Sequence, residues 1–258
     1  MKQNDMTLVE HIEELRKRLA IIVVFFLLAL VGSFFLAGPL IEFLQFNDHA
    51  ENLELNAFKI TDPLRIYLQV MMVLSLIITS PVILYQLWAF VSPGLLDQER
   101  RATLSYIPFS VLLFLGGIAF GYFILFPYAI GFMLQISDSM DIVETIGITE
   151  YFTFLFQMTL PFGVVFQLPV LMLFLTRLGI LTPMQMVKSR KYAYFILVVV
   201  AAFITPPDIF SHLMVTVPLI LLYEMSIVIA RAGYRKFLRA EQQQVIEEQQ
   251  EEAVLKRG

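Results

Sequence analysis

The side chains in a position to do chemistry are carboxylates and amides set in or beside apolar sequence. Glu224 lies in Pro218-Leu-Ile-Leu-Leu-Tyr-Glu-Met-Ser226 and Gln167 in Phe162-Gly-Val-Val-Phe-Gln-Leu-Pro-Val170. Ionisable groups inside a membrane are costly and usually face a bundle interior or a watery cavity. Glu224 reads either as such a group or as an interfacial carboxylate less than two helical turns before Arg231. Gln167 reads as an amide that bonds between helices. A second set of carboxylates comprises Glu10, Glu13 and Glu14, with Asp97 and Glu99 in Ser92-Pro-Gly-Leu-Leu-Asp-Gln-Glu-Arg-Arg101. At a membrane surface they could receive guanidinium groups in bidentate fashion. Equally, spacing alone lets Arg16, Arg18, Arg100 and Arg101 neutralise them internally.

Other chemistry is missing its residues. The three histidines, His11, His49 and His212, form no H-E-x-x-H pair, and no nucleophile elbow, P-loop or G-x-G-x-x-G occurs. His49, beside Asp48 and Glu51, reads as a solvated residue rather than a metal ligand. Zero cysteines exclude disulfides, thiolate metal sites and cysteine nucleophiles. An intramembrane protease or nucleotide-driven pump therefore has no visible machinery, and no enzyme activity, cofactor, metal or nucleic-acid partner is expected.

The elements that must carry these groups are membrane helices. Of 258 residues, 58% are hydrophobic and 16% charged, against about 45–50% and 25% for a soluble domain; the mean hydropathy is +0.75. Six long uncharged runs extend over 19–41, 66–96, 102–137, 151–176, 192–207 and 209–223. A bilayer core takes about 20 helical residues, so four runs span comfortably and two are short. The first run is too long for the apolar region of a signal peptide and no small-residue cleavage pattern follows it. Pro206-Pro207 ends the fifth span, because neither proline donates and the residue before each is pushed out of the helical region. Asp208 is then placed to cap the sixth helix. A single re-entrant hairpin over the last two runs is the alternative.

Positive residues accumulate on the cytoplasmic side of membrane helices. Alternate segments between the runs hold 16 of the 18 Lys and Arg, and the intervening ones hold two. Six spans with both termini in the cytoplasm fit that division. The expected spans are about 19–41, 66–92, 103–130, 151–176, 192–205 and 209–230, within a membrane domain over 1–238. The first helix should begin before the bilayer, with a Thr7 to Glu10 capping box and Glu13–Lys17 and Glu14–Arg18 pairs. Residues 239–258 form a polar tail, read as solvated helix or disorder.

With these features assembled, the chain resembles a known family. Glu10-His-Ile-Glu-Glu-Leu-Arg-Lys-Arg-Leu19 is similar to the N-terminal motif of the TatC family, the multispanning subunit of the twin-arginine protein translocase. Ser80 to Leu95, followed by Glu99-Arg-Arg101, resembles that family's second helix and first cytoplasmic loop. Further matches in family order are Phe126-Pro127, Phe162-Gly163 with Pro169, Thr182-Pro183 leading to Arg190-Lys-Tyr192, Thr205-Pro-Pro-Asp208 and Tyr223-Glu224.

The resemblance implies an all-α, concave, glove-like bundle of six membrane helices, the fifth and sixth short, in the bacterial cytoplasmic (inner) membrane. It implies a receptor for twin-arginine signal peptides of folded proteins, exported by the proton-motive force with single-span partner subunits and self-association in a larger complex. Glu14 and Glu99 match the signal-peptide carboxylates, and Arg16, Phe90 and Arg101 match neighbouring residues of that surface. Thr205, Asp208 and His212 fall on the partner-docking patch, Glu224 matches an acidic position of the last helix, and Pro39 a proline of the first outside loop. Gln167 departs from the family, many of whose members carry a buried glutamate there; an amide bonds but cannot change charge. A secondary transporter or channel for small solutes, with Glu224 and Gln167 lining a route, is the competing class, although no internal repeat is visible.

Overall fold

A computed structural model describes residues 8–45, 55–91, 106–141, 145–205 and 208–255. The elements in chain order are α1 (Leu8–Gln45), β1 (Leu55–Asn56), α2 (Asp62–Val91), α3 (Tyr106–Phe120), a π-helical turn (Gly121–Leu125), α4 (Phe126–Ser139), β2 (Ile146–Gly147), α5 (Ile148–Val165), α6 (Leu168–Arg177), α7 (Pro183–Lys188), α8 (Arg190–Ile204) and α9 (Ile209–Leu255). The chain is an all-α membrane protein. Among the described residues, five stretches are long and apolar enough to cross a bilayer: Glu10–Gln45, Asp62–Phe90, Ile107–Ser139, Ile148–Arg177 and Ile209–Arg235. The fifth run expected from sequence forms α8, whose 15 residues reach about 22 Å at 1.5 Å per residue, short of the roughly 30 Å of hydrocarbon.

The chain divides into two compact units, Met1–Gly163 and Val164–Gly258. In the first, α1 and α2 run antiparallel. His11 stacks on Phe90 with ring centroids 4.4 Å apart, Arg18 reaches Gln86, and Tyr67 donates its hydroxyl to the Phe34 carbonyl at 2.5 Å. Beyond them, Leu55 and Asn56 pair in parallel with Ile146 and Gly147. Buried Asp62 shapes the entry to α2, its Oδ2 accepting the backbone N–H groups of Phe58 at 3.0 Å and Lys59 at 2.9 Å. The core joins Ala37 and Leu44 of α1, Ile66 and Val70 of α2, Phe126 and Ile130 of α4, and Phe152, Leu155 and Met158 of α5. Tyr151, buried among them, donates its hydroxyl to the Leu44 carbonyl. The π-helical turn is closed by the Phe126 N–H donating to the Gly121 carbonyl five residues back. Gly121 lies flat against α5, where a Cβ would come within 2.8 Å of the Thr159 Cα and 3.0 Å of the Met158 carbonyl.

In the second unit α6, α7 and α8 pack on α9. Tyr223 of α9 donates to the Met186 carbonyl of α7 at 3.0 Å and both residues are buried. Thr182 caps α7 in a reciprocal box with Gln185, a device the sequence reading did not identify.

Three expectations are corrected or refined. Pro39, expected in an outside loop, lies inside α1; in apolar surroundings the neighbouring backbone groups find no partners except along the helix, so helix continues past a single lost donor. The span expected over 151–176 falls in one apolar stretch, Ile148–Arg177, that is built from two helices, α5 and α6. The break falls at Phe166-Gln167, where the Gln167 N–H bonds back to Val164 and Pro169 supplies no N–H to the carbonyl four residues earlier. The tail from 239 is helical to Leu255. Asp208 does cap α9, its Oδ1 accepting the Ser211 N–H at 2.6 Å. The proposed Thr7 cap and Pro206-Pro207 lie outside the described residues.

The Gly121 contact is with backbone, which cannot rotate away. Gly121→Ala is therefore expected to cost about 1–3 kcal/mol, typical of overpacking, and to lower the thermal unfolding temperature of the detergent-purified protein. Gly116→Ala, where a Cβ meets nothing within 4 Å, should leave it unchanged or slightly raised.

Candidate functional site

Residues 11, 14 and 18 lie on one face of α1, because steps of three and four bring successive helix positions into line. The antiparallel partner offers residues 86 and 90 at the same spacing on α2. His11 packs on Phe90, and about two turns further along α1 the Arg18 guanidinium bridges the two helices. Its Nε and Nη2 donate to Glu14 Oε1 at 3.0 and 2.5 Å, and its Nη1 donates to Gln86 Oε1 at 3.2 Å. Gln86 is buried, and the Arg18 and Glu14 side chains are only 21% and 19% exposed. By contrast Arg16 faces Glu13 at 3.7 Å with side chains 81% and 70% exposed, a geometry that contributes little. Glu14 Oε2 is shielded from solvent and accepts no hydrogen bond.

Of the residues expected at the signal-peptide surface, Glu14 and Phe90 therefore lie along one α1/α2 seam, and Arg16 points into solvent on the same helix. Glu99 and Arg101 lie outside the described residues. His11, Arg18 and Gln86 complete the seam. Gln86 sits inside the quoted Ser80–Leu95 motif, but nothing in the sequence announced that it would face Arg18.

A second polar group forms where α8 gives way to α9. Thr205 is buried and donates its hydroxyl to the Ala201 carbonyl at 3.0 Å. Asp208 spends one carboxylate oxygen on the cap, and the His212 N–H donates to the Asp208 carbonyl at 3.1 Å. Asp208 Oδ2 and the hydroxyls of buried Ser211 and Thr216 are solvent-shielded and have no hydrogen-bond partner. Unmet buried polar groups each carry a desolvation penalty of about 1–3 kcal/mol. Ser211 and Thr216 were not anticipated; they follow Asp208 at helical spacing and differ in that respect from the apolar residues around them.

Glu224 is engaged within its own unit. It accepts from Arg190 Nη2 at 2.7 Å and from the Tyr194 hydroxyl at 2.5 Å, both on α8. Its cation is thus across a helix interface, and the side chains of the pair are 39% and 34% exposed. Gln167 precedes the first residue of α6 in helical conformation, makes no side-chain cap, and is half-buried. No group of three or more His, Asp or Glu among the described residues is placed to hold a metal ion.

Comparison with known proteins places the chain in a family. Residues 10–218 match the family model of TatC, the Sec-independent protein translocase protein. The chain is 58% identical to the Sec-independent protein translocase protein TatCy of Bacillus subtilis over 236 residues, covering 92% of this chain and 93% of the relative. It is 57% identical to the TatC protein of Halalkalibacterium halodurans over 252 residues, covering 98% and 100%. A crystal structure of the twin arginine translocase receptor TatC superposes with a TM-score of 0.77 at 34% identity, covering 87% of this chain and 99% of that one. Matches of this length and identity, on an all-helical membrane fold, make the chain a member of the TatC family of Sec-independent protein translocase proteins.

Proposed function

We propose that this protein is the receptor subunit of a twin-arginine translocase, seated in the bacterial cytoplasmic membrane with six spans, α8 included, and both termini in the cytoplasm. The observation that carries this reading is the Glu14 carboxylate: largely shielded on the α1/α2 seam, in line with Phe90, with one oxygen, Oε2, that accepts no hydrogen bond. A charged fork that enters this site replaces lost hydration with charge-assisted hydrogen bonds, which are about twice as strong as neutral ones. Arginine suits it better than lysine because its guanidinium is planar, weakly hydrated and bidentate. Glu99, on the loop after α2, supplies the second carboxylate for the second arginine, with Arg16 and Arg101 beside them. The signal's apolar stretch then lies against the membrane helices.

Export with single-span partner subunits, in a complex holding more than one copy, is driven by the proton-motive force. Thr205, Asp208 and His212 are the docking patch, supported by the unmet acceptor of Asp208 and the hydroxyls of Ser211 and Thr216. A short α8 favours local bilayer thinning or tilt. Glu224 acts here as a structural anion that holds α8 to α9 through Arg190 and Tyr194, and Gln167 as a hydrogen-bonding amide where other family members hold a carboxylate.

Photocrosslinking of a twin-Arg signal peptide to inverted membrane vesicles tests the docking reading. Glu14→Ala and Glu99→Ala should each lower capture by about tenfold or more, the scale expected for truncating one partner of a desolvated charge pair; unchanged capture by both variants would sink it. For the patch, Asp208→Asn retains the capping oxygen but exchanges the open acceptor for an amide. Copurification of the single-span partner should fall while the thermal stability of the subunit stays nearly constant, and undiminished copurification counts against the assignment. For Glu224, Arg190→Met alone leaves an uncompensated carboxylate. It should lower thermal stability more than the Arg190→Met, Glu224→Met pair does; equal loss in both would show the ion pair to be unimportant.

A further inference from the structure

The contacts of Arg18 point to a role beyond local charge balance. The pair Glu14–Arg18 has i,i+4 spacing, and such pairs on a solvated helix surface are worth only about 0.3–0.5 kcal/mol. This one differs in two respects. Both side chains are about four-fifths shielded, and the guanidinium is held from the other side by Gln86 of α2, 68 residues away in sequence. Gln86 is buried and neutral, so it fixes the direction of the guanidinium without competing for its charge. Arg18 also uses the carboxylate asymmetrically: two of its N–H groups converge on Oε1 and none reaches Oε2.

We infer that Arg18 is a built-in competitor for the Glu14 carboxylate and sets the receptor's preference for arginine over lysine. The inference rests on the reading of Glu14 as a docking group. An incoming cation meets a carboxylate whose charge is already shared. A guanidinium takes Oε2, which is solvent-shielded but has no donor of its own, with one arm and displaces an Arg18 N–H from Oε1 with the other, exchanging one charge-assisted bond for an equivalent one. An ammonium offers single rotatable donors and is more strongly hydrated, so it gains only Oε2 and pays its dehydration against a half-neutralised anion. The resident arginine thus penalises lysine more than arginine, a form of discrimination built from opposing a wrong ligand rather than from improving the right one.

The test is photocrosslinking of matched twin-Arg and twin-Lys signal peptides to vesicles containing the full-length protein. Arg18→Gln should raise twin-Lys capture and cut the Arg-to-Lys capture ratio about tenfold, the size of one charge-assisted hydrogen bond. Gln86→Leu, which removes the interhelical tether but keeps every charge, should cut the ratio by a smaller factor in the same direction. Lys17→Gln removes the same charge from an exposed position on α1 and should leave the ratio unchanged. An unaltered ratio in Arg18→Gln protein present at wild-type level overturns the inference, as does an equal fall in Lys17→Gln. Should Arg18→Gln not accumulate in the membrane, Gln86→Leu decides alone, an unaltered ratio again overturning it. Glu14→Ala separates the two readings: if it leaves twin-Arg capture intact, docking at Glu14 fails, and if it abolishes capture while Arg18→Gln leaves the ratio fixed, only the competitor role fails.

Discussion

The constraint on which this structure depends is that backbone amides in an apolar medium have nowhere to bond except to one another. Pro39, Pro81, Pro161 and Pro218 all lie inside helices, positions where a water-exposed helix would lose about 3 kcal/mol. Here the alternative is worse, because opening the helix would orphan several donors and acceptors instead of one. The same constraint makes the few departures from α-helix informative. The i→i+5 turn at Gly121 is seated where a bare backbone meets α5, and the α-helical ladder is interrupted by a turn at Phe166-Gln167. Serine and threonine follow the rule as well: Ser75, Ser80, Thr176, Thr205 and Ser226 return their hydroxyls to carbonyls of their own helices.

Most of the scaffold was readable from charge spacing. Among the described residues the uncharged runs lie in helix apart from the turn at Phe166-Gln167 and the bend at Thr205, and α1 overshoots its run because polar, helix-favouring residues such as Glu10 to Arg18 extend it into water. Asp208 was legible as a cap because it follows a proline pair and precedes an apolar run. The break near Gln167 was not. Pro169 is no different in kind from four prolines that stay within helices, and what ends α5 there is tertiary context that local sequence does not encode. The pairing of Leu55 with Ile146 was equally hidden, being two residues long and joining loops far apart in sequence.

The candidate sites divide the same way. Carboxylates beside arginines were visible as a pattern, and the pattern alone could not say whether the charges cancel or await a ligand. Two described pairs differ in desolvation: Glu13–Arg16 is bathed in water, whereas Glu14–Arg18 is shielded and tied to α2. The partners of Glu224 lie 30 and 34 residues back on a different helix. Its paired cation is Arg190, whereas Arg231, about two turns along its own helix, acts on it at longer range.

The length of α9 has a mechanical consequence. Its 47 residues reach about 70 Å at 1.5 Å per residue, more than twice the hydrocarbon thickness of about 30 Å. From Glu241 to Leu255 it carries five glutamates and no lysine or arginine. A segment of one charge sign is repelled by an anionic lipid surface within about a Debye length, and one unbroken helix carries any rotation of its apolar part along its whole length.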